Sequence, residues 1–301
     1  MRIGQTKAFF LSLGRTVLKN LTERSDTMKF GNAAWGFREL ELEEQLKITS
    51  GMGLKIHELG IANAETDIKT DATGAELEGV RALYEKYGIG LLCAATGNDF
   101  TCGNGDDVEK IKRVTDMCAV LGVKYLRIFA GFSHKEEVTG ERWQTMVESL
   151  NRCAEHAKKR NVTLVVETHG GVDGFDGGEV EHFNSVTTCT DTLKRLLDEL
   201  DESIMFNYDP ANLYAVGHSD PSEVYELLRG RVAYVHLKDF KTMPSGHKKP
   251  AACGESEMDW KKIAAGLKGF DGPLLFEYEI PSDLEDGLKR SYEFAKKVFN
   301  E

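Results

Sequence analysis

From Met28 onward the chain alternates short apolar runs with longer amphipathic stretches. The apolar runs fall at 29–33, 54–59, 89–95, 123–129, 162–167, 204–209, 232–238 and 273–277. Each is short and rich in Val, Ile, Leu and Phe, as expected of a strand buried on both faces. Strands separated by helical stretches read as parallel βα units. Eight such units fit a closed (β/α)8 barrel, the TIM barrel, better than an open doubly wound sheet.

The helical stretches carry their own periodicity. Trp143, Met146, Val147, Leu150, Ala154 and Ala157 recur at three- and four-residue steps, as do Ile111, Val114, Cys118 and Leu121. Leu193, Leu196, Leu197 and Leu200 form another buried face, and Leu288, Tyr292, Ala295 and Phe299 an eighth helix. Asp220 before Pro221 opens one helix, and Gly230 closes it. The longest irregular segments, 168–189 and 239–258, both follow strands, where a barrel builds its active face. The stretch Asp173–Gly178 lacks the spacing and terminal glutamate of a calcium loop and is expected to be a flexible substrate lid.

Residues 1–27 stand apart. Ala8–Leu13 form a brief apolar patch behind Arg2 and Lys7, and Arg15 and Lys19 interrupt the residues after it. That patch is too brief for a secretory signal. The expected organisation is a peripheral extension, 1–27, and one barrel domain, 28–301.

Composition narrows the function. A hydrophobic fraction of 41% and a charged fraction of 29% are those of a soluble globule with ample core material. A net charge of −11 repels phosphate backbones and anionic membranes, so neither nucleic acid nor membrane is expected as a partner. No apolar run is long enough to span a bilayer. The six cysteines form no CxxC pair, which suits a reduced, cytoplasmic enzyme.

Candidate chemistry lies at the strand ends. Glu167, Asp209, His236 and Glu277 each sit at or near the end of an apolar run, spaced by 42, 27 and 41 residues. Each spacing is about one βα unit, so the four converge at one barrel mouth. Three carboxylates and an imidazole at one point repel one another unless a cation joins them. Oxygen-rich ligation with one nitrogen suits one divalent ion, Mn²⁺ first, with Mg²⁺ and Co²⁺ as alternatives.

The segments Glu167-Thr168-His169-Gly170-Gly171, Asp209-Pro210-Ala211-Asn212, His236-Leu237-Lys238-Asp239 and Phe276-Glu277 resemble the xylose isomerase-like barrel superfamily. Gly254–Trp260 is similar to that group's loop before the seventh helix, with Ser256 where a second glycine is common. The resemblance covers about residues 28–299 and implies a sugar substrate. It also implies that Glu167, Asp209, His236 and Glu277 are the metal ligands. In the group's ketose epimerases the two glutamates exchange the substrate proton from opposite faces, through an enediolate. This chain departs from them at Asn212, where they commonly carry a histidine, and at Lys238; both differences argue against a plain 3-epimerase.

Further candidates surround the tetrad. His169, just past the first ligand, is a candidate acid or base. Lys238 is a candidate for binding substrate oxygens, with Asp239 holding its ammonium in place. Asn212, Glu58, Trp35 and Phe129 are candidate substrate contacts, the aromatic pair by stacking on a sugar ring. The leading function is a metal-dependent isomerase or epimerase of a keto-sugar. The alternative is a lyase or hydrolase that cleaves 3-oxo-glycosides by elimination, for which His169 serves the leaving group. A repair endonuclease needs more histidines and a basic groove, and a non-catalytic sugar-binding barrel has no need of the tetrad. The pattern leaves homo-oligomerisation open.

Overall fold

The computed structural model describes residues 28–299 apart from 104 and 177; the extension 1–27 lies outside the described residues. Eight parallel strands close into a barrel: β1 (Lys29–Asn32), β2 (Ile56–Gly60), β3 (Gly90–Ala95), β4 (Tyr125–Ile128), β5 (Thr163–Glu167), β8 (Met205–Tyr208), β9 (Val232–Leu237) and β12 (Pro273–Phe276). All eight expected strands are present within two residues at each end. Closure comes from β1, which pairs with β12 on one side and β2 on the other.

Helices 42–51, 74–87, 106–121, 140–159, 190–199, 210–215, 222–228, 260–266 and 284–299 wrap the barrel. The stripe read from the sequence in 140–159 is the buried one, from Trp143 to Ala157. Strand alternation then divides the side chains. In β9, Val235 and Leu237 join the large core between strands and helices, while Tyr234 joins the smaller cluster inside the barrel. In β5, Leu164 and Val166 face the helices and Val165 faces inward; in β12, Leu274 and Phe276 face out and Leu275 inward. With a period of two, the next inward positions are His236, Glu167 and Glu277.

Both segments expected to be irregular contain strands. Segment 168–189 contains a hairpin, β6 (Gly171–Asp176) and β7 (Glu179–Phe183). Segment 239–258 contains a second, β10 (Asp239–Thr242) and β11 (Lys248–Ala251). Together they form a four-stranded antiparallel sheet, β10-β11-β7-β6, outside the barrel. The stretch expected to be a loose lid is therefore largely strand. Among the described residues no helix is long and apolar enough to cross a membrane.

Candidate metal centre and active site

Glu167, Asp209, His236 and Glu277 each offer a ligand atom within 4.8 Å of the others, and all four are buried. Opposed ligands of a small divalent ion bound at about 2.1 Å stand about 4.2 Å apart, so only slight contraction brings this set onto an ion. Local sequence explains each placement. Asp209 caps the helix Pro210–Ala215: its Oδ1 accepts from the amides of Ala211 (2.8 Å) and Asn212 (3.0 Å). That fixes the carboxylate and leaves Oδ2 without a hydrogen bond. Asn212 donates from Nδ2 to Glu167 Oε1 (3.0 Å) and to the Thr168 carbonyl (3.1 Å). Expected at the sugar, Asn212 thus also orients a ligand.

Both nitrogens of His236 are buried without a hydrogen-bond partner. Nδ1 faces the ligand side, 3.5 Å from Glu277 and 3.8 Å from Glu167. Nε2 faces away, 3.6 Å from Glu58 Oε1. Orphaned imidazole nitrogens in a buried site, with carboxylates on both sides, are what a metal-binding histidine leaves when no ion is present. The donor set therefore fits a hard divalent cation.

Glu58 is not the substrate contact the sequence suggested. It is fully buried, with Oε2 accepting from the Ala34 amide (3.0 Å) and Oε1 from the Tyr234 hydroxyl (2.6 Å). The inward period of two carries it under the mouth, behind His236. Asp239 also departs from expectation. Its carboxylate accepts from Phe240, Gly254, Ser256 and Trp260, so it ties the 239–258 segment together and leaves Lys238 alone.

Lys238 is held instead by the centre itself. Its ammonium lies 2.7 Å from Glu277 Oε2, 3.1 Å from Glu279 and 3.4 Å from Asp209 Oδ2. A second buried cation, unforeseen in the sequence, pairs with the other glutamate: Arg127 Nε lies 3.2 Å from Glu167 Oε2. The signal for it was an arginine at an inward position of β4, in the run Tyr125-Leu126-Arg127-Ile128.

Charge decides what the site needs. Four buried carboxylates, Glu58, Glu167, Asp209 and Glu277, face two fixed cations, Arg127 and Lys238. With His236 neutral, as ligation requires, these groups leave two negative charges, the charge one divalent ion would neutralise. Without an ion, protons take up part of that charge. Burial, reinforced by Glu167 and Glu277, pushes Asp209 up to about 7. Glu167 is held down to about 2 against burial, first by Arg127 and then by His236. The His236 imidazole is driven well above its ordinary range, against burial, by Glu277 and Glu58.

Above this floor opens a cavity of about 710 Å³. Glu167, Glu277, Lys238, Asn212, Arg127 and His169 line its base. The His169 Nδ1 donates to the Gly170 carbonyl, which in the neutral ring leaves Nε2 as an acceptor. Phe129 and Phe132 meet the His169 ring edge-on, each at 5.3 Å. Burial lowers the pKa of that imidazole. Trp35 lines the cavity and is 36% exposed; Phe129 lines it and is buried.

Comparison with known proteins places this geometry. The profile of the xylose isomerase-like TIM barrel family matches residues 46–298. An inosose dehydratase of Clostridium perfringens is 27% identical over 179 residues, covering 52% of this chain and 56% of that protein. The chain thus spans about half the length of the curated relatives it matches. A D-allulose 3-epimerase from Methylomonas sp. superposes with a TM-score of 0.68 at 14% identity, over 90% of this chain and 98% of that one. A xylose isomerase-like TIM barrel protein from Mycobacterium smegmatis, in complex with magnesium, superposes with a TM-score of 0.65 at 13% identity, over 91% and 97%.

Proposed function

The chain belongs to the xylose isomerase-like TIM barrel family, and we propose that it is a divalent-metal-dependent enzyme that moves a proton at the carbon beside a keto-sugar carbonyl, as an isomerase or epimerase. The observation that carries this reading is the pair Glu167 and Glu277, both lining the cavity floor and both metal-ligand candidates. When bound, a divalent ion supplies Lewis-acid stabilisation of the charge that develops on the carbonyl oxygen, Mn²⁺ being the preferred ion and Mg²⁺ or Co²⁺ alternatives. The protein does the rest. Arg127 and Lys238 keep one glutamate each ionised and oriented, so either carboxylate can accept the proton. Asn212 fixes Glu167 further, and Lys238, which lines the cavity beside Glu277, would steady a substrate oxygen.

Elimination is a second reading with its own support. It shares the first deprotonation, then expels a group from the next carbon. The unprotonated Nε2 of neutral His169, at the cavity base, gives it a further base, and relatives that match in sequence bear the name of a dehydratase.

One experiment tests both. Keto-sugars and 3-oxo-glycosides are incubated with Mg²⁺-loaded protein in D₂O and followed by NMR. Deuterium at the carbon beside the carbonyl, with a rearranged sugar as product, supports isomerisation. The same exchange with loss of the neighbouring substituent supports elimination, and His169→Gln should then lower turnover by about 10²-fold. Absence of exchange in every candidate contradicts both.

A further inference from the structure

We infer that the substrate is a sugar carrying a bulky aromatic or similarly apolar substituent, seated in the outer cavity, and not a free monosaccharide. This rests on the reading above that the floor binds the sugar. Three observations lead to it. First, size: a single sugar ring has the volume of roughly six waters at about 30 Å³ each, whereas the cavity holds about 710 Å³. A pocket of this size encloses a ligand much larger than one ring.

Second, polarity is segregated. Glu167, Glu277, Lys238 and Asn212 gather at the floor, and the wall adds the polar side chains Arg38, Asn63, His182, Lys249 and Glu279 to a larger apolar surface. The remaining wall includes Trp35, Phe132, Val172, Val180, Phe240 and Ile280, drawn from the barrel loops and from both hairpins of the outer sheet. A polyol gains little from the apolar part of that wall, whereas a ring without hydroxyls is covered by it.

Third, the wall carries uncovered apolar surface. Among the described residues three large hydrophobic side chains are exposed: Trp35, Val120 and Val172. Two of these three line this one cavity. Trp35 is also steadied by the Arg38 guanidinium, 5.2 Å from its ring centroid. An indole held in place at a cavity wall is suited to stack on a flat ligand.

The test is calorimetric, on full-length Mg²⁺-loaded protein, with phenyl and methyl glycosides matched in sugar across gluco, galacto and xylo series. At least one phenyl glycoside should bind about tenfold or more tightly than its methyl counterpart. Trp35→Ala and Val172→Ser should each reduce that ratio several-fold while leaving Mg²⁺ affinity unchanged. Both positions are exposed, so neither change disturbs the core, and thermal melts of both variants check this. No phenyl preference in any series overturns the inference, whether or not the methyl glycosides bind. The D₂O exchange experiment is independent. Exchange in free keto-sugars without a phenyl preference removes the inference and keeps the function; a Trp35-dependent phenyl preference without exchange does the reverse.

Discussion

The cavity floor is carried by strands that are hydrogen-bonded on both sides, whereas the outer sheet, among the described residues, joins its two hairpins through one paired position, Lys248 with Val180. Every ligand at the floor is buried, and every carboxylate there has a defined partner. In the outer sheet, β10 exposes Lys241 and Thr242, and Val172 of β6 is 45% exposed. The difference separates two tasks. Chemistry needs charges fixed within fractions of an ångström, and barrel strands supply that. Recognition of a variable substituent needs only a wall of suitable polarity, and hairpins inserted after β5 and β9 supply it without disturbing the barrel.

That division can be broken at several points. The largest effect is expected at Arg127. Removing its charge with Arg127→Met leaves Glu167 buried beside other carboxylates, a loss of about 3–5 kcal/mol. Denaturation of the metal-free variant should show it, and saturating Mg²⁺ should recover part. A variant as stable as wild type without metal would mean that the ion pair does not hold the floor together.

Next is Glu277→Gln, which removes a ligand charge and a proton acceptor together. Turnover should fall by about 10²-fold or more, with substrate affinity much less changed. Retention of most activity at saturating metal would place Glu277 outside the chemistry. Glu58→Gln tests the layer beneath. If Glu58 accepts from His236 Nε2 and aims Nδ1 at the ion, metal affinity should fall by about 10–100-fold. A metal-binding isotherm unchanged from wild type would reduce Glu58 to packing.

The smallest effect belongs to the outer sheet. Val180 is buried on the cavity wall. Val180→Thr, which keeps the shape and adds a hydroxyl, should raise KM by a few-fold and leave the metal affinity alone. A large loss of metal binding would show that floor and outer sheet are one unit.

The same contrast governs what could be read in advance. The eight barrel strands were legible because each is an apolar run between amphipathic helices, and the tetrad because each ligand ends such a run. Arg127 was not, since one arginine within an apolar strand gains meaning only when the barrel closes and Glu167 arrives from β5. Glu58 looked like a substrate contact because it ends a strand, yet the inward period of two puts it under His236. The outer sheet was read as loop because its pairing joins segments some seventy residues apart, 179–183 with 248–251. A local clue existed in Gly177-Gly178 before the alternating Glu179-Val180-Glu181-His182-Phe183, a hairpin pattern.

The central claim is that four strand-end side chains form one divalent-metal site, and direct titration tests it. Chelator-stripped protein is titrated with Mn²⁺ by calorimetry, alongside His236→Ala and Asp209→Asn, and metal content is checked after dialysis. One ion per chain in wild type, with affinity reduced by orders of magnitude in both variants, is the expected result. Wild-type protein that takes up no stoichiometric Mn²⁺, Mg²⁺ or Co²⁺, or variants that bind as tightly as wild type, would contradict it.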